Sequence, residues 1–164
     1  MALPLVLVPA AENDIDQVAA TIHELSRWLK TKGISQWSGV FPRELLEREV
    51  EHGELFVLRD QGEVIASVGI GRDAAELWDD APTHALYLHR LAVSHSRHGE
   101  KLGEAIMAWA EAHAKRSGAI VLRLVCDAAN PFLPGYYRAL SYEPKGTRIY
   151  EPWKITFARF EKRL

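Results

Sequence analysis

The residues best suited to chemistry in this chain form a short glycine-containing turn at the start of a predicted helix. Gly99 and Gly103 lie on either side of the helix start, where the first backbone N–H groups have no acceptor inside the helix. Such a terminus favours an anion, and Arg97, His98 and Lys101 add positive charge beside it. The pattern predicts a site for a phosphate-like group. A solvated, charged helix start would carry the same residues, so the glycines alone do not decide between the two.

The segments around this turn predict a strand–helix–strand unit. Ala85–Val93 reads as a strand, and residues 100–117 read as a helix. The helix carries four residues on one face at helical spacing, namely Leu102, Ile106, Trp109 and His113. The nearly unbroken apolar run 119–125 predicts a strand covered on both faces. Two strands joined by a helix of this length are typical of a right-handed parallel βαβ unit.

Together with the residues downstream, this unit resembles the GNAT family of N-acetyltransferases. The family signature is a Leu-x-Val strand, then Arg/Gln-x-x-Gly-x-Gly/Ala opening a long helix, and later an Asn and an aromatic–Tyr pair before Gly-Phe. In this chain the matching positions are Leu91, Ala92 and Val93, then residues 98–103, then Asn130, Tyr136, Tyr137, Ser141 and Tyr142. His98 replaces Arg or Gln, Lys101 replaces Gly, and Ser141 with Tyr142 replaces Gly-Phe.

The resemblance implies the GNAT fold. This is a mixed α/β architecture with a central, mostly antiparallel sheet of about six or seven strands, about four helices and a βαβ core that binds acetyl-CoA. We expect a single domain of this kind over residues 1–164.

The remaining segments fit that order of elements. We expect a short strand at 3–9, a helix capped by Asn13 or Asp14 that ends near Gly33, and an irregular segment at 34–40. A second helix should start at Pro42 and stop at Gly53. Strands are expected at 54–60 and 63–70 around a tight turn, followed by a polar loop at 72–84. A last antiparallel pair is expected at 147–150 and 153–160.

By the same resemblance the acyl donor is acetyl-CoA, and the acetyl group passes directly to an amine in a ternary complex. The pyrophosphate would lie on the backbone amides of one turn, formed by His98, Gly99, Glu100, Lys101, Leu102 and Gly103. The pantetheine would pair like an additional strand with Leu91, Ala92 and Val93. An amide of Leu91 or its neighbour could stabilise the developing oxyanion.

Two further residues correspond to functional positions of the family. Tyr137 aligns with the tyrosine acid that protonates the leaving CoA thiolate, and a phenol within hydrogen-bond reach is a suitable donor. Packing of Tyr136 and Tyr137 onto the sheet is the alternative. Asn130 would either hydrogen-bond the cofactor near the pantetheine or cap the following helix.

The general base is less well determined. His89, on the central strand, titrates in the right range, although a purely structural strand histidine would look the same. By alternation His89 and Arg90 point to opposite faces, unless a bulge intervenes. A water chain could serve instead, beside one of three carboxylates, Glu76, Asp79 or Asp127. Cys126 is expected to be a buried strand cysteine rather than a nucleophile.

The acceptor is expected to be a small-molecule amine. By the same resemblance Trp37 and Trp78 would form part of its wall, and the acidic residues beside Trp78 would suit a cationic or flat molecule. Trp37 could equally pack on its own helices, and the acidic loop could simply be solvated. A peptide or protein acetyltransferase is the second hypothesis, and a non-catalytic acyl-CoA-binding GNAT module is the third.

Composition limits the remaining classes. The net charge of -2 argues against a nucleic-acid partner. Cys126 is the single cysteine, so no internal disulfide forms, and a reducing, cytoplasmic location is expected. No apolar run reaches the roughly 18 residues of a membrane span. We expect no metal ion, and a homodimer is possible.

Overall fold

The computed structural model describes residues 5–37, 41–72, 74, 76–80, 82 and 84–164. Parts of three predicted segments lie outside the described residues: 3–4 of the first strand, 38–40 of the irregular segment, and 73, 75, 81 and 83 of the polar loop. The helices are α1 (Ile15–Thr31), α2 (Arg43–Glu51), α3 (Leu102–Arg116) and α4 (Leu133–Ala139). The strands are β1 (Val8–Pro9), β2 (Leu55–Asp60), β3 (Glu63–Gly71), β4 (Ala85–Val93), β5 (Val121–Asp127), β6 (Glu143–Tyr150) and β7 (Ile155–Arg163).

Within the described residues these seven strands form one sheet in the order β1-β2-β3-β4-β5-β7-β6. β4 and β5 are parallel, with Ala85 opposite Val121 and Leu88 opposite Leu124. The pairs β1–β2, β2–β3, β5–β7 and β6–β7 are antiparallel. The predicted mixed, mostly antiparallel sheet is confirmed, and α3 joins the two parallel strands as the βαβ interpretation requires.

The chain divides into two compact units, of which the first comprises Met1–Ile70 and Arg90–Ala110. Its core is built from apolar residues of α1, α2 and β2, among them Ile15, Val18, Ile22, Leu46, Leu55 and Val57. The predicted tight turn between β2 and β3 is present, with left-handed backbone at Gln61 (φ 49°) and Gly62 (φ 85°). α2 begins at Arg43 rather than at Pro42, which occupies the N-cap with extended backbone.

Helix α3 differs from its prediction in where it starts and in which face it buries. It begins at Leu102 because Gly99 (φ 89°) and Lys101 (φ 56°) have left-handed backbone, which a right-handed helix cannot include. Its buried residues are Ile106, Met107, Ala110 and Ala114. The other three predicted stripe residues are half-buried. The prediction of the buried face was wrong because alanine contributes little to an apolar stripe. The larger residues beside Ala110 and Ala114 therefore dominated the sequence pattern.

The second unit comprises Gly71–His89 and Glu111–Leu164. Its strand β5 is covered on both faces, as predicted. Leu122, Leu124 and Cys126 are buried on one face, and Arg123 is buried on the other. β6 starts four residues earlier than the sequence suggested, because Pro144, Lys145 and Gly146 lie in a register shift that hides the alternation. No helix in the described part of the chain has the length and apolar character needed to cross a membrane.

Candidate active site

The turn that precedes α3, in the first unit, is held by hydrogen bonds to β2 and β3. The Ser94 N–H donates to the Ile65 carbonyl at 2.8 Å. Arg97 donates to Asp60 at 2.7 Å and to Glu100 at 2.7 Å. The hydrogen bonds with Glu100 and Asp60 raise the pKa of Arg97 above its usual value. Arg97 therefore stays charged, but its charge is already neutralised by the carboxylates of Asp60 and Glu100.

His98, the first residue of the predicted pyrophosphate turn, belongs to a cluster of three rings. The Trp28 ring of α1 lies 4.7 Å from the ring of His95 and 5.7 Å from that of His98, centroid to centroid. The two imidazoles are 5.9 Å apart. The sequence did not identify Trp28 as part of the site, because nothing local links a residue of α1 to a turn almost seventy positions later.

The two residues that replace glycines of the family signature both have a glycine-like backbone. Lys101 has φ 56° and Ser141 has φ 69°. A left-handed conformation costs a non-glycine residue roughly 1 kcal/mol, so the backbone shape of the motif is kept although the glycines are not. Lys101 is exposed, and its ammonium forms no ion pair with any residue in the described part of the chain.

The chemistry of these donors fits a pyrophosphate. The N–H groups of Leu102, Gly103 and Glu104 open α3 and have no acceptor inside the helix. The helix dipole favours an anion at the same point. The ammonium of Lys101 is the cation of the turn that no carboxylate of the described fold neutralises.

β4 carries the residues predicted to pair with the pantetheine. Ala92 is buried, and Leu91 and Val93 are half-buried. Just before them, Arg90 has φ 52°, which interrupts the alternation of the strand. The simple up-and-down assignment of His89 and Arg90 therefore does not hold.

Arg90 is fixed within the first unit. Its guanidinium forms an ion pair with Glu49 of α2 and lies 5.3 Å from the centroid of the Phe41 ring. His89, the predicted base, is half-buried, and its catalytic role stays a prediction.

Tyr137, in the second unit, is only 6% exposed and is surrounded by aromatic rings. Its ring centroid lies 5.3 Å from that of Tyr136, 6.1 Å from that of Tyr142 and 5.8 Å from that of Phe160. Burial, with a smaller contribution from Cys126, raises the pKa of Tyr137. The phenol therefore holds its proton more tightly than an ordinary tyrosine does. Its catalytic role stays a prediction.

Cys126 is a free cysteine buried on β5. Burial, together with the nearby Asp127, raises the pKa of its thiol to about 11. Because the thiolate is the nucleophilic form, this group is inert at neutral pH, in line with the structural role predicted for it.

Asn130 is buried at the start of α4. Its Oδ1 accepts hydrogen bonds from the N–H groups of Phe132 at 2.9 Å and Leu133 at 3.0 Å. The capping alternative is therefore observed. A contact between Asn130 and the cofactor stays a prediction.

The carboxylates considered as alternative bases have partners of their own. Asp79 forms ion pairs with Arg148 and Arg159, and hydrogen bonding to Arg159 lowers its pKa. Asp127 accepts a hydrogen bond from the Ala129 N–H at 2.9 Å. Glu76 interacts with the Tyr150 hydroxyl. A carboxylate held ionised by two arginines is a weak base, so Asp79 is the least suitable of the three.

The two tryptophans predicted to contact the acceptor are both packed within their own units. Trp37 is half-buried against the core of the first unit, and its carbonyl accepts a hydrogen bond from Ser26 Oγ at 3.1 Å. Trp78 is 6% exposed, with the Arg123 guanidinium 4.2 Å and that of Arg159 5.6 Å from its ring centroid. Their role toward an acceptor stays a prediction.

Arg123 is a residue that the sequence analysis missed. It is 5% exposed and donates to Glu161 at 2.7 Å and to the Asp80 carboxylate at 3.0 and 3.1 Å. A cation in the middle of the apolar run 119–125 was the available signal, because a buried guanidinium requires acidic partners.

A cavity of about 340 Å³ lies beside this arginine, lined by Trp78, three acidic and three basic side chains. Arg123 and Arg159 are already paired with Asp80, Glu161 and Asp79. The paired lining leaves little charge for a ligand. We interpret these ion pairs, together with the pair between Asp79 and Arg148, as contacts that hold the loop around Trp78 to β5, β6 and β7.

Comparison with known proteins identifies the family. The model of the acetyltransferase (GNAT) family matches residues 22–142. The chain belongs to the GNAT acetyltransferase family. It is similar to the uncharacterized N-acetyltransferase YesJ of Bacillus subtilis, with 32% identity over 146 residues, 84% of this chain and 81% of that protein.

Solved structures of acetyltransferases have the same fold. A GNAT acetyltransferase from Listeria monocytogenes matches with 25% identity and a TM-score of 0.83, over 98% of this chain and 95% of that one. The PaiA N-acetyltransferase of Thermoplasma acidophilum, solved in complex with coenzyme A, matches with 14% identity and a TM-score of 0.74, over 99% and 100%. The predicted family and fold are confirmed, and so are the enzyme class, an N-acetyltransferase, and acetyl-CoA as the acyl donor.

Proposed function

We propose that this protein transfers the acetyl group of acetyl-CoA directly to the amine of a small molecule, in a ternary complex. The observation that carries the proposal is the turn before α3. It combines open helix-terminal amides, a Lys101 ammonium that forms no ion pair among the described residues, and left-handed backbone at both Gly99 and Lys101. Cys126, with its thiol pKa raised to about 11, supports direct transfer, because a protonated thiol is a poor acyl carrier.

In this mechanism the turn 98–103 holds the pyrophosphate, and Leu91, Ala92 and Val93 align the pantetheine. Acetyl-CoA supplies an activated thioester, whose carbonyl carbon the amine attacks. A backbone N–H at or near Leu91 stabilises the charge that develops on the carbonyl oxygen. As the carbon–sulfur bond breaks, the Tyr137 hydroxyl donates its proton to the departing sulfur.

The amine must lose a proton before or during its attack. His89 is the proposed base because it lies on β4 and its ordinary pKa suits the task. Water beside Glu76 or Asp127 is the alternative. Asn130, which is buried, is proposed to contact the cofactor near the pantetheine.

A small acceptor is favoured over a peptide because the loop that carries Trp78 is tied down. Asp79 and Asp80 bind Arg123, Arg148 and Arg159 of the three strands β5, β6 and β7. A peptide acceptor requires an open groove, which a loop held by three arginines would restrict. We propose that Trp37 and Trp78 contribute to the acceptor wall, and that residues 1–164 act as one cytoplasmic domain.

The first test is calorimetric titration with acetyl-CoA, CoA and pantetheine, which lacks the pyrophosphate. We expect micromolar binding of acetyl-CoA and CoA and at least a hundredfold weaker binding of pantetheine. A panel of small amines and of peptides with free N-termini is then assayed for release of free CoA. Turnover only with peptides would overturn the small-molecule assignment. Absence of CoA binding at hundreds of micromolar would overturn the proposed function.

A further inference from the structure

We propose that Trp28 and Arg97 are positioning residues, which hold the turn 98–103 in its phosphate-binding shape before the cofactor binds. The inference rests on the proposed function, since it assigns the turn to a phosphate. Neither residue belongs to the turn itself. Trp28 acts through the rings of His95 and His98. Arg97 acts through the carboxylates of Glu100 and Asp60.

The need for such anchors comes from the backbone of the turn. Gly99 and Lys101 both have left-handed φ values, 89° and 56°, and they follow the short 3-10 helix His95–Arg97 rather than belonging to it. A left-handed lysine persists only where the surrounding structure holds it. Without anchors the turn would sample other shapes, and the ligand would have to order it at a loss of affinity.

Trp28 supplies the anchor from α1. Its indole contacts the rings of both His95 and His98, at centroid separations of 4.7 and 5.7 Å. The His98 N–H also donates to the His95 carbonyl at 3.0 Å. The two histidines thus form one short rigid segment that rests on a single tryptophan. A ring pair of this kind contributes about 0.5–1.5 kcal/mol beyond area burial.

Arg97 supplies the anchor from β2. Its two hydrogen bonds join Asp60, the last residue of β2, to Glu100 inside the turn. Because both partners are carboxylates, Arg97 and its partners together bring no net positive charge to the site. Its contribution to phosphate binding is therefore one of shape, which can be separated from one of charge.

Asp60→Asn separates the two roles. The change leaves Arg97 in place but weakens its tie to β2 and removes one negative charge near the turn. If Arg97 acted as a cation toward the phosphate, CoA would bind more tightly to the variant. Under the positioning role CoA binds three- to tenfold more weakly, although the electrostatic change favours the anion.

Glu63→Gln is the matched control for charge. Glu63 is exposed and lies opposite Asp60 in the β2–β3 pairing, so its removal changes the net charge by the same amount at nearly the same place. We expect CoA affinity within twofold of wild type. Equal weakening in both variants would overturn the role of Arg97.

Trp28→Leu and Trp28→Phe test the second anchor. Leucine keeps apolar bulk but removes the ring, so the CoA dissociation constant should rise about tenfold, or about 1.4 kcal/mol. Phenylalanine keeps a ring and should stay within threefold of wild type. Trp153→Leu removes an exposed tryptophan of the second unit and should leave CoA binding unchanged. Equal affinities for the leucine and phenylalanine variants would overturn the role of Trp28.

Amide hydrogen exchange of the ligand-free protein provides the readout that does not depend on CoA. Exchange over residues 98–104 should accelerate at least threefold in Trp28→Leu and Asp60→Asn, and not in Glu63→Gln or Trp153→Leu. If the turn exchanges equally in all variants, the anchoring is refuted even if the wild type binds CoA. Absence of CoA binding by the wild type, with faster exchange in the anchor variants, would overturn the phosphate role alone.

Discussion

The turn before α3 and the Tyr137 cluster are built in opposite ways. At the turn His98, Gly99, Glu100 and Lys101 are all exposed, and side chains from other elements hold the backbone in place. Tyr137 is buried among aromatic rings and raised in pKa by that burial. The turn offers several backbone donors, whereas the proposed acid of the cluster is a single buried hydroxyl, that of Tyr137.

The difference follows from what each region is proposed to do. An anion is bound by several N–H groups at once, so its affinity depends on the backbone conformation of the turn. The loss of one side chain should therefore reduce the affinity without abolishing it. Proton donation depends on one oxygen atom, so it is lost when that atom is removed. Binding and turnover should therefore fail separately, and variants of the two regions test that separation.

Tyr137→Phe should have the largest effect. Removing the hydroxyl removes the acid, and general acid catalysis is typically worth 10²–10⁴-fold. We expect turnover to fall about a hundredfold while the CoA dissociation constant changes less than twofold. Steady-state kinetics and calorimetry measure the two effects. Tyr136→Phe is the control and should retain turnover within threefold. Unchanged turnover in Tyr137→Phe would mean that another group donates the proton.

Gly103→Val should weaken phosphate binding at the turn and leave the Tyr137 cluster unchanged. A β-branched side chain at the second residue of α3 would block the close approach of a phosphate to the helix-terminal amides. We expect CoA affinity to fall more than tenfold. Ala108→Val, on the exposed side of the same helix, controls for the lower helix propensity of valine. If both variants bind CoA like the wild type, the pyrophosphate does not lie on this turn.

Asp79→Asn tests whether the ion pairs of Asp79 with Arg148 and Arg159 stabilise the second unit. Arg159 and Arg148 lower the pKa of Asp79. A lowered folded-state pKa gives stability that is present above the unfolded pKa, near 4, and is lost as the pH falls through the folded value. The melting temperature of the wild type should therefore drop as the pH goes from 5 to 3, and Asp79→Asn should flatten this drop. Glu12→Gln, at an exposed position, should leave the slope as it is.

Lys101→Gly should have the smallest effect. Glycine adopts the left-handed backbone of this position without strain, and it loses more conformational freedom on folding. The two terms partly cancel, so the unfolding free energy should rise by less than about 1 kcal/mol. CoA affinity should change less than threefold if the amides dominate binding. A tenfold loss would instead assign part of the recognition to the lysine ammonium.

The sequence predicted the features that depend on neighbouring residues. β4 was predicted with the bounds it has, and the tight turn between β2 and β3 was predicted from the three residues Asp60, Gln61 and Gly62. The motif resemblance predicted the family and the fold. Even the substituted glycine positions, Lys101 and Ser141, keep the backbone that the motif requires.

The sequence could not predict contacts between distant residues. Arg97 was interpreted as a cation available to an anion, yet it pairs with Asp60, 37 positions away. Trp28 of α1 contacts His95, and no local sequence pattern predicts a contact between residues so far apart in the chain. Arg90, whose backbone is left-handed, likewise forms an ion pair with Glu49, a residue that only the fold brings near it.

The buried state of Cys126 has a practical consequence for measuring the reaction. Acetyl transfer releases one thiol per turnover, and colorimetric disulfide reagents report free thiols as they appear. Because Cys126 is the single cysteine of the chain, is buried and has a thiol pKa raised to about 11, the native protein should react with such a reagent very slowly. The acceptor panel can then be followed continuously in one mixture, with the colour proportional to product and no correction for the protein itself.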